Sequence, residues 1–194
     1  MGTDLKSGSL SFIPADLDDL MLIQGCLKND RKAQFQLYKN YFAFVSGICL
    51  RYLRVEQEAR ESTNDIFLKV FTRISQFNPS KGSFSTWLRT IAVRTCLDKM
   101  KLNSFSHFYA SLDEETDLFS IPSVEYIELR DMLNLLNDLP PRQLAIFNMF
   151  VVEGYSHEEI GDILNISSGN SRWYLNDAKQ KLKKIFIQNG HAIK

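Results

Sequence analysis

At 194 residues with 44% apolar and 12% aromatic content, the chain can fill one or two packed cores, and 14 phenylalanines beside 9 glycines and 5 prolines exclude low complexity and wholesale disorder. The formal net charge is zero, from 23 basic and 23 acidic side chains, which taken as a total argues against a non-specific nucleic-acid binder. Three cysteines without close spacing, Cys26, Cys49 and Cys96, suggest neither a disulfide framework nor a thiolate metal site.

The charge is unevenly spread. Lys and Arg against Asp and Glu number 14 to 9 over residues 16–101, 1 to 8 over residues 102–138, and 7 to 5 over residues 139–194. Two mildly basic blocks flank an acidic connector, a distribution compatible with two DNA-facing domains. Met1 to Lys6 carry no basic segment followed by an apolar run, and no apolar stretch approaches membrane-spanning length. The expectation is a cytoplasmic protein without membrane insertion.

In chain order, residues 1–15 lack periodicity and read as a frayed tail. Asp16 to Leu27 reads as a short helix with Leu17, Leu20, Met21 and Ile23 near one side, interrupted by Asn29-Asp30. From Arg31 to Leu53, Phe35, Tyr38, Phe42, Val45, Cys49 and Tyr52 form a helical stripe that predicts a core helix. The next helix, about Glu56 to Phe77, is predicted to bury Ala59, Thr63, Ile66, Phe67, Val70 and Ile74. Asn78 to Ser83 is a loop by its chemistry, because proline fixes one dihedral and glycine frees another. A third long helix is expected from Phe84 to about Lys101.

Asn103 to Pro122 loses the helical period and gathers Asp113, Glu114, Glu115 and Asp117. Some twenty structureless residues within one compact domain are improbable, so this stretch reads as a linker between two domains. The resulting division is a tail at 1–15, a first domain at 16–102, a linker at 103–122 and a second domain at 123–188. A helix from Ser123 to about Asn137 leads into Pro140-Pro141, which ends one helix and starts another, whose expected buried face is Leu144, Phe147, Phe150 and Val151. No segment alternates as a strand does, so the fold class is all-α: two small helical domains joined by a flexible acidic linker.

The most informative stretch lies between Leu139 and Lys184. Gly154-Tyr155-Ser156 stops one helical pattern, and Ser156 with Glu159 three residues on is a capping-box signature for the next. Ile160, Ile163 and Leu164 give that short helix an apolar face. Asn165 to Gly169 break the pattern, and a longer helix follows in which Ser171, Leu175, Ala178, Leu182 and Ile185 form one stripe. Two helices joined by a tight turn, the second longer and lysine-bearing, have the layout of a helix-turn-helix DNA reader; a plain helical hairpin with solvated lysines is the other reading. No enzyme chemistry, cofactor or metal is expected. His107, His157 and His191 lie far apart, His157-Glu158-Glu159 lacks a second histidine, and the glycines are isolated at turns.

Two blocks of residues together resemble the sigma factors of bacterial RNA polymerase, in their extracytoplasmic-function (ECF) group. The first runs from Ala33-Gln34-Phe35-Gln36-Leu37-Tyr38 through Ala59 to Phe67, then Phe84-Ser85-Thr86-Trp87-Leu88-Arg89-Thr90-Ile91-Ala92 and Leu97-Asp98-Lys99. It looks like the domain that binds core polymerase and opens the promoter near its −10 element. The second runs from Leu139-Pro140-Pro141-Arg142 through Glu153 to Ile160, then Ile166 to Ser171 and Leu175, and looks like the domain that reads the −35 element. The chain departs from the family pattern at Asn64, Arg94, Met100, Trp173, Tyr174 and Asp177, which leaves promoter sequence open. The resemblance implies core RNA polymerase and promoter DNA as partners, with an anti-sigma factor as a further one. Two other readings compete: a free-standing helix-turn-helix regulator whose first domain senses a ligand or dimerises, and a helical scaffold. Neither calls for Trp87 and cations along one flank of a helix at residues 84–101.

Three groups of site residues follow. Glu61, Asn64, Asp65 and Leu68 fall opposite the buried side of the second long helix and are expected to dock core polymerase, against the plain alternative of scattered surface residues. Trp87, Thr90, Arg94, Leu97 and Lys101 form a ridge for the separated strand, with Phe77 and Lys81 in the preceding loop as a pocket for a flipped base; Trp87 could equally be core. Arg172, Trp173, Asn176, Asp177 and Gln180 lie opposite or at the margin of the recognition helix's buried stripe, while Ser167, Ser168 and Asn170 sit at its start, where exposed amides hold phosphate. For Asp177 the alternative is a helix-surface pair with Lys181.

Overall fold

The computed structural model describes residues 17–106, 136 and 138–188. The expected tail at 1–15, most of the linker at 103–122 and the helix expected from Ser123 lie outside the described residues. Among those described the fold is all-α, with no strand.

Four helices make the first half: α1 (Leu17–Leu27), α2 (Arg31–Tyr52), α3 (Glu56–Arg73) and α4 (Phe84–Ser106). Asp30 starts α2 by accepting the Lys32 amide at 2.8 Å, after Asn29 has turned the chain through a left-handed conformation, φ 57°. Helix α3 ends at Arg73, short of the expected Phe77, and buries Ala59, Thr63, Ile66, Phe67 and Val70, while Ile74, the last of the predicted set, is buried from the 3-10 turn that follows. In α2 the observed set is Ala33, Leu37, Val45, Ile48, Cys49 and Tyr52, and Phe35, expected inside, is 67% exposed. Helix α1 lies over Ala33, so the start of α2 turns its Ala33/Leu37 side inward and leaves Phe35 outside. Met21 of α1 is likewise exposed, while Ile23 and Cys26 reach the core. Helix α4 runs five residues past its expected end and buries Phe84, Leu88, Ala92, Val93, Cys96 and Leu97. Leu97 therefore leaves the expected ridge for the core. Two single turns of 3-10 helix, Ile74–Gln76 and Pro79–Lys81, connect α3 to α4; the Asn78 side chain accepts the Ser80 amide at 3.0 Å.

The second half begins with α5 (Pro141–Phe147), which passes directly into a π-turn at Asn148–Val152. The extra residue in that turn shifts the side-chain register. Leu144, Ala145, Ile146 and Met149 are buried, whereas Val151, expected inside, is half exposed. Helices α6 (His157–Leu164) and α7 (Ser168–Gln188) follow. Ala145, Ile146, Met149, Ile160 and Leu175 join the buried side chains of α1 to α4 in one continuous apolar cluster, so the two halves are in contact.

Candidate nucleic-acid and polymerase interfaces

The α6–α7 unit is built by local chemistry. Gly154 takes φ 78°, ending the preceding helical run. Ser156 Oγ accepts the Glu159 amide at 3.2 Å while Glu159 accepts the Ser156 amide at 2.8 Å, the reciprocal cap the sequence predicts. The Ser156 amide, and after it the Ser156 side chain, hold the Glu159 carboxyl below the usual carboxylate range. At the other end Asn165 caps α6 in the left-handed region, φ 54°, and the Ile166 amide returns to the Gly161 carbonyl at 3.0 Å. A Cβ on Gly161 would stand 2.7 Å from the Ile166 carbonyl, so the turn closes only on glycine. Ser167 Oγ accepts the Asn170 amide at 3.0 Å and starts α7. His157 ties the two helices: its Nδ1 is 2.9 Å from Ser171 Oγ and its ring stacks on Phe150 at 4.3 Å. Burial and the nearby Arg172 push His157 below the usual histidine range.

With Ser171, Leu175 and Ala178 turned inward, α7 presents Arg172, Trp173, Asn176, Lys179 and Gln180 outward. Trp173 is 61% exposed and packs edge-on against Tyr174 at 5.0 Å. Arg172 pairs with Glu158 of α6 at 3.1 Å across an exposed surface. Asp177 is placed differently. It pairs with Lys181 at 3.2 Å and accepts a hydrogen bond from the Gln143 side chain of α5, so its carboxylate faces the inside edge of the domain.

On the first half, Glu61, Asn64, Asp65 and Leu68 emerge together on the outer side of α3, with Leu68 65% exposed. Lys99 of α4 pairs with Glu61 at 3.2 Å, and Tyr38 of α2 donates to Asn64 Oδ1 at 3.4 Å. Phe35, one turn before Tyr38, is a further exposed apolar group on α2. Helical periodicity assigned it to the core, and only the position of α1 shows otherwise.

At the start of α4 three aromatic rings form a cluster: Phe77, Phe84 and Trp87, with centroids 5.5 to 5.7 Å apart. Trp87 is half-buried, its indole resting on the other two rings, and Lys81 is exposed at the end of the preceding turn. Farther along, Thr90 is half-buried while Arg94 and Lys101 are exposed. Arg94, Leu97, Asp98 and Lys101 border a cleft of about 320 Å³ whose opposite wall is Asp162 and Ile163 of α6. Sequence reasoning missed that this flank of α4 faces the second half of the chain.

A helix-turn-helix with an open recognition face, carried beside a four-helix half, is the layout of a DNA-binding protein. Residues 37–105 match the sigma-70 region 2 family, and residues 129–182 match sigma-70 region 4. The ECF RNA polymerase sigma factor SigK of Mycobacterium sp. (strain JLS) is 24% identical over 180 residues, covering 90% of this chain and 92% of that one. SigK of Mycobacterium bovis (strain BCG / Pasteur 1173P2) is 26% identical over 179 residues, covering 88% and 94%. A solved structure of CnrH in complex with the cytosolic domain of CnrY shares the fold, with TM-score 0.52, 16% identity, and coverage of 88% of this chain and 98% of that one. The chain belongs to the sigma-70 family of RNA polymerase sigma factors, in its ECF group. It is a promoter-specificity subunit that binds bacterial core RNA polymerase and directs transcription initiation at −10 and −35 promoter elements; the free-standing regulator is not favoured. Among the described residues no helix is long and apolar enough to cross a membrane.

Proposed function

We propose that residues 16–102 dock core polymerase and hold the opened −10 strand, and that residues 123–188 read the −35 element. The observation that carries the second assignment is the outer face of α7. Arg172, Trp173, Asn176 and Gln180 stand clear of the protein's own core, while Ser167, Ser168 and Asn170 surround the amide-rich helix start that suits phosphate. Arg172 suits guanine and Asn176 adenine by their paired donors and acceptors. Asp177 acts mainly through the protein, holding Lys181 and Gln143 and so fixing the angle of α7 on α5.

Core polymerase docks on Glu61, Asn64, Asp65 and Leu68 in this reading, and Phe35 extends the same surface onto α2. An exposed leucine and phenylalanine beside carboxylates suit a partner that offers both apolar and cationic groups. Phe77, Lys81, Trp87, Thr90, Arg94 and Lys101 receive the non-template strand, combining aromatic surface with cations. An anti-sigma factor is a further partner, supported by the likeness to CnrH, solved with the cytosolic domain of CnrY. Reconstitution with bacterial core polymerase tests the whole: the holoenzyme should initiate at a defined start site, and Asp65→Arg with Leu68→Glu should weaken core binding at least tenfold. Unchanged core affinity of that double variant would remove α3 from the docking surface.

A further inference from the structure

Arg172 and Asn176 each suit a particular base, and the largest side chain between them has no such assignment. Trp173 stands two residues from both Ser171 and Leu175, which are buried, so at about 100° per residue it points roughly 160° away from each. It lies in the second turn of α7, is 61% exposed and takes no part in either buried cluster. Its indole is nevertheless held. Tyr174 packs edge-on against it at 5.0 Å, and the Arg142 guanidinium lies over the Tyr174 ring at 5.8 Å and donates to the tyrosine hydroxyl at 3.5 Å. Arg142 is itself set in the first turn of α5 by the Pro140-Pro141 start. A large aromatic side chain with few rotatable bonds, propped by a neighbour, loses little conformational freedom on binding.

We propose that Trp173 is the thymine reader of the recognition helix, its indole lying against the C5 methyl group of a thymine in the major groove of the upstream element. The inference rests on the reading of α7 as the helix that enters that groove. Base edges there present hydrogen-bonding atoms with one exception, the thymine methyl, which is the one alkyl group an unmodified base pair offers. Indole has a single donor, Nε1–H, and is otherwise apolar, so it matches a methyl group better than it matches paired donors and acceptors. Stacking on a base face, the use open to Trp87 on a separated strand, is closed to Trp173 in an intact duplex, where neighbouring pairs cover the faces. A side chain at the centre of the outward face meets the groove floor, whereas groups at the helix start meet the phosphates. Asn176 follows Trp173 by about 4.5 Å along the helix axis, against roughly 3.4 Å per base pair, so the thymine lies at or beside the pair that Asn176 reads.

The full chain assembled with bacterial core polymerase tests this on promoter duplexes that share one −10 element. In the upstream element that the parent holoenzyme selects from random sequence, each thymine of either strand is replaced singly by deoxyuridine, which pairs identically and lacks only the methyl group. At one thymine the exchange should weaken binding about fourfold, the affinity equivalent of burying one methyl group. Holoenzyme carrying Trp173→Ala should bind the two duplexes alike, and Trp173→Phe should restore part of the difference. Because Trp173 stands outside the packed core, circular dichroism of Trp173→Ala should match the parent. If no thymine is sensitive to the exchange, or if the sensitivity persists in Trp173→Ala, the proposal is overturned. A base preference lost in Trp173→Ala without any methyl effect would overturn it in favour of donation by Nε1. Arg172→Ala separates this failure from that of the underlying reading. With its upstream preference altered and no methyl effect, only the thymine contact falls; with its preference unaltered and no methyl effect, the reading of α7 falls as well.

Discussion

Asp177 and Asn176 are neighbours on α7 with opposite fates. Asn176 points outward, while Asp177 is tied to Lys181 and Gln143. The two should therefore respond differently to truncation. Asn176→Ala should relax preference at one base pair of the upstream element by about 1–3 kcal/mol, the usual discrimination of a well-made side-chain contact. Asp177→Ala should leave the preferred base unchanged and cost about 1 kcal/mol of stability, since it removes an i,i+4 pair and one charge-assisted hydrogen bond. Selected-site sequencing checks the first effect and urea denaturation the second; a new base preference in Asp177→Ala would restore it to the reading face.

At the scale of elements, α6 and its turn depend on few groups. Ser156→Ala deletes half of the reciprocal cap and should cost about 1 kcal/mol. Gly161→Ala forces a Cβ against the Ile166 carbonyl, which is backbone and cannot move aside, so an overpacking cost of about 1–3 kcal/mol is expected. Thermal denaturation of both, with upstream-element binding measured alongside, should show Gly161→Ala losing more affinity because the turn sets the angle of α7. His157 adds a pH dependence. Its folded-state value is depressed, so below the unfolded value of about 6.5 the unfolded chain takes up the proton more readily than the folded one. Stability should thus be fully present above that value and decline as pH falls through the depressed folded value. In His157→Gln the decline should be shallower, as urea titrations at pH 5 and pH 8 would show.

For the whole molecule, the decisive feature is a core that continues from the four-helix half into the helix-turn-helix half. Met149 is fully buried in that shared cluster. Met149→Ala should cost about 2–5 kcal/mol, the range for emptying a core site of this size, and calorimetry should show it. A cost well under 1 kcal/mol would mean that the site collapses or that the halves are separate in solution.

How far the sequence reached can be judged from particular residues. The buried stripe of α3, the Ser156–Glu159 cap, the break from Asn165 to Gly169 and the inward face of α7 were all legible, because each depends on spacing and on local hydrogen bonding within a few residues. Phe35, Val151 and Leu97 were misplaced. Phe35 and Leu97 each fit a helical period whose facing partner lies on another element, and Val151 sits in a π-turn that no residue type announces. The sequence by itself therefore determined the all-α class, the helix starts and the two matched blocks, since those rest on local propensity and on residue identity. Only the tertiary structure decided which way Asp177 faces and that Glu153 is buried between Arg51 and Arg89. Those outcomes depend on groups 34 to 102 residues apart, and charge pairing over such distances has no periodic signature in the chain.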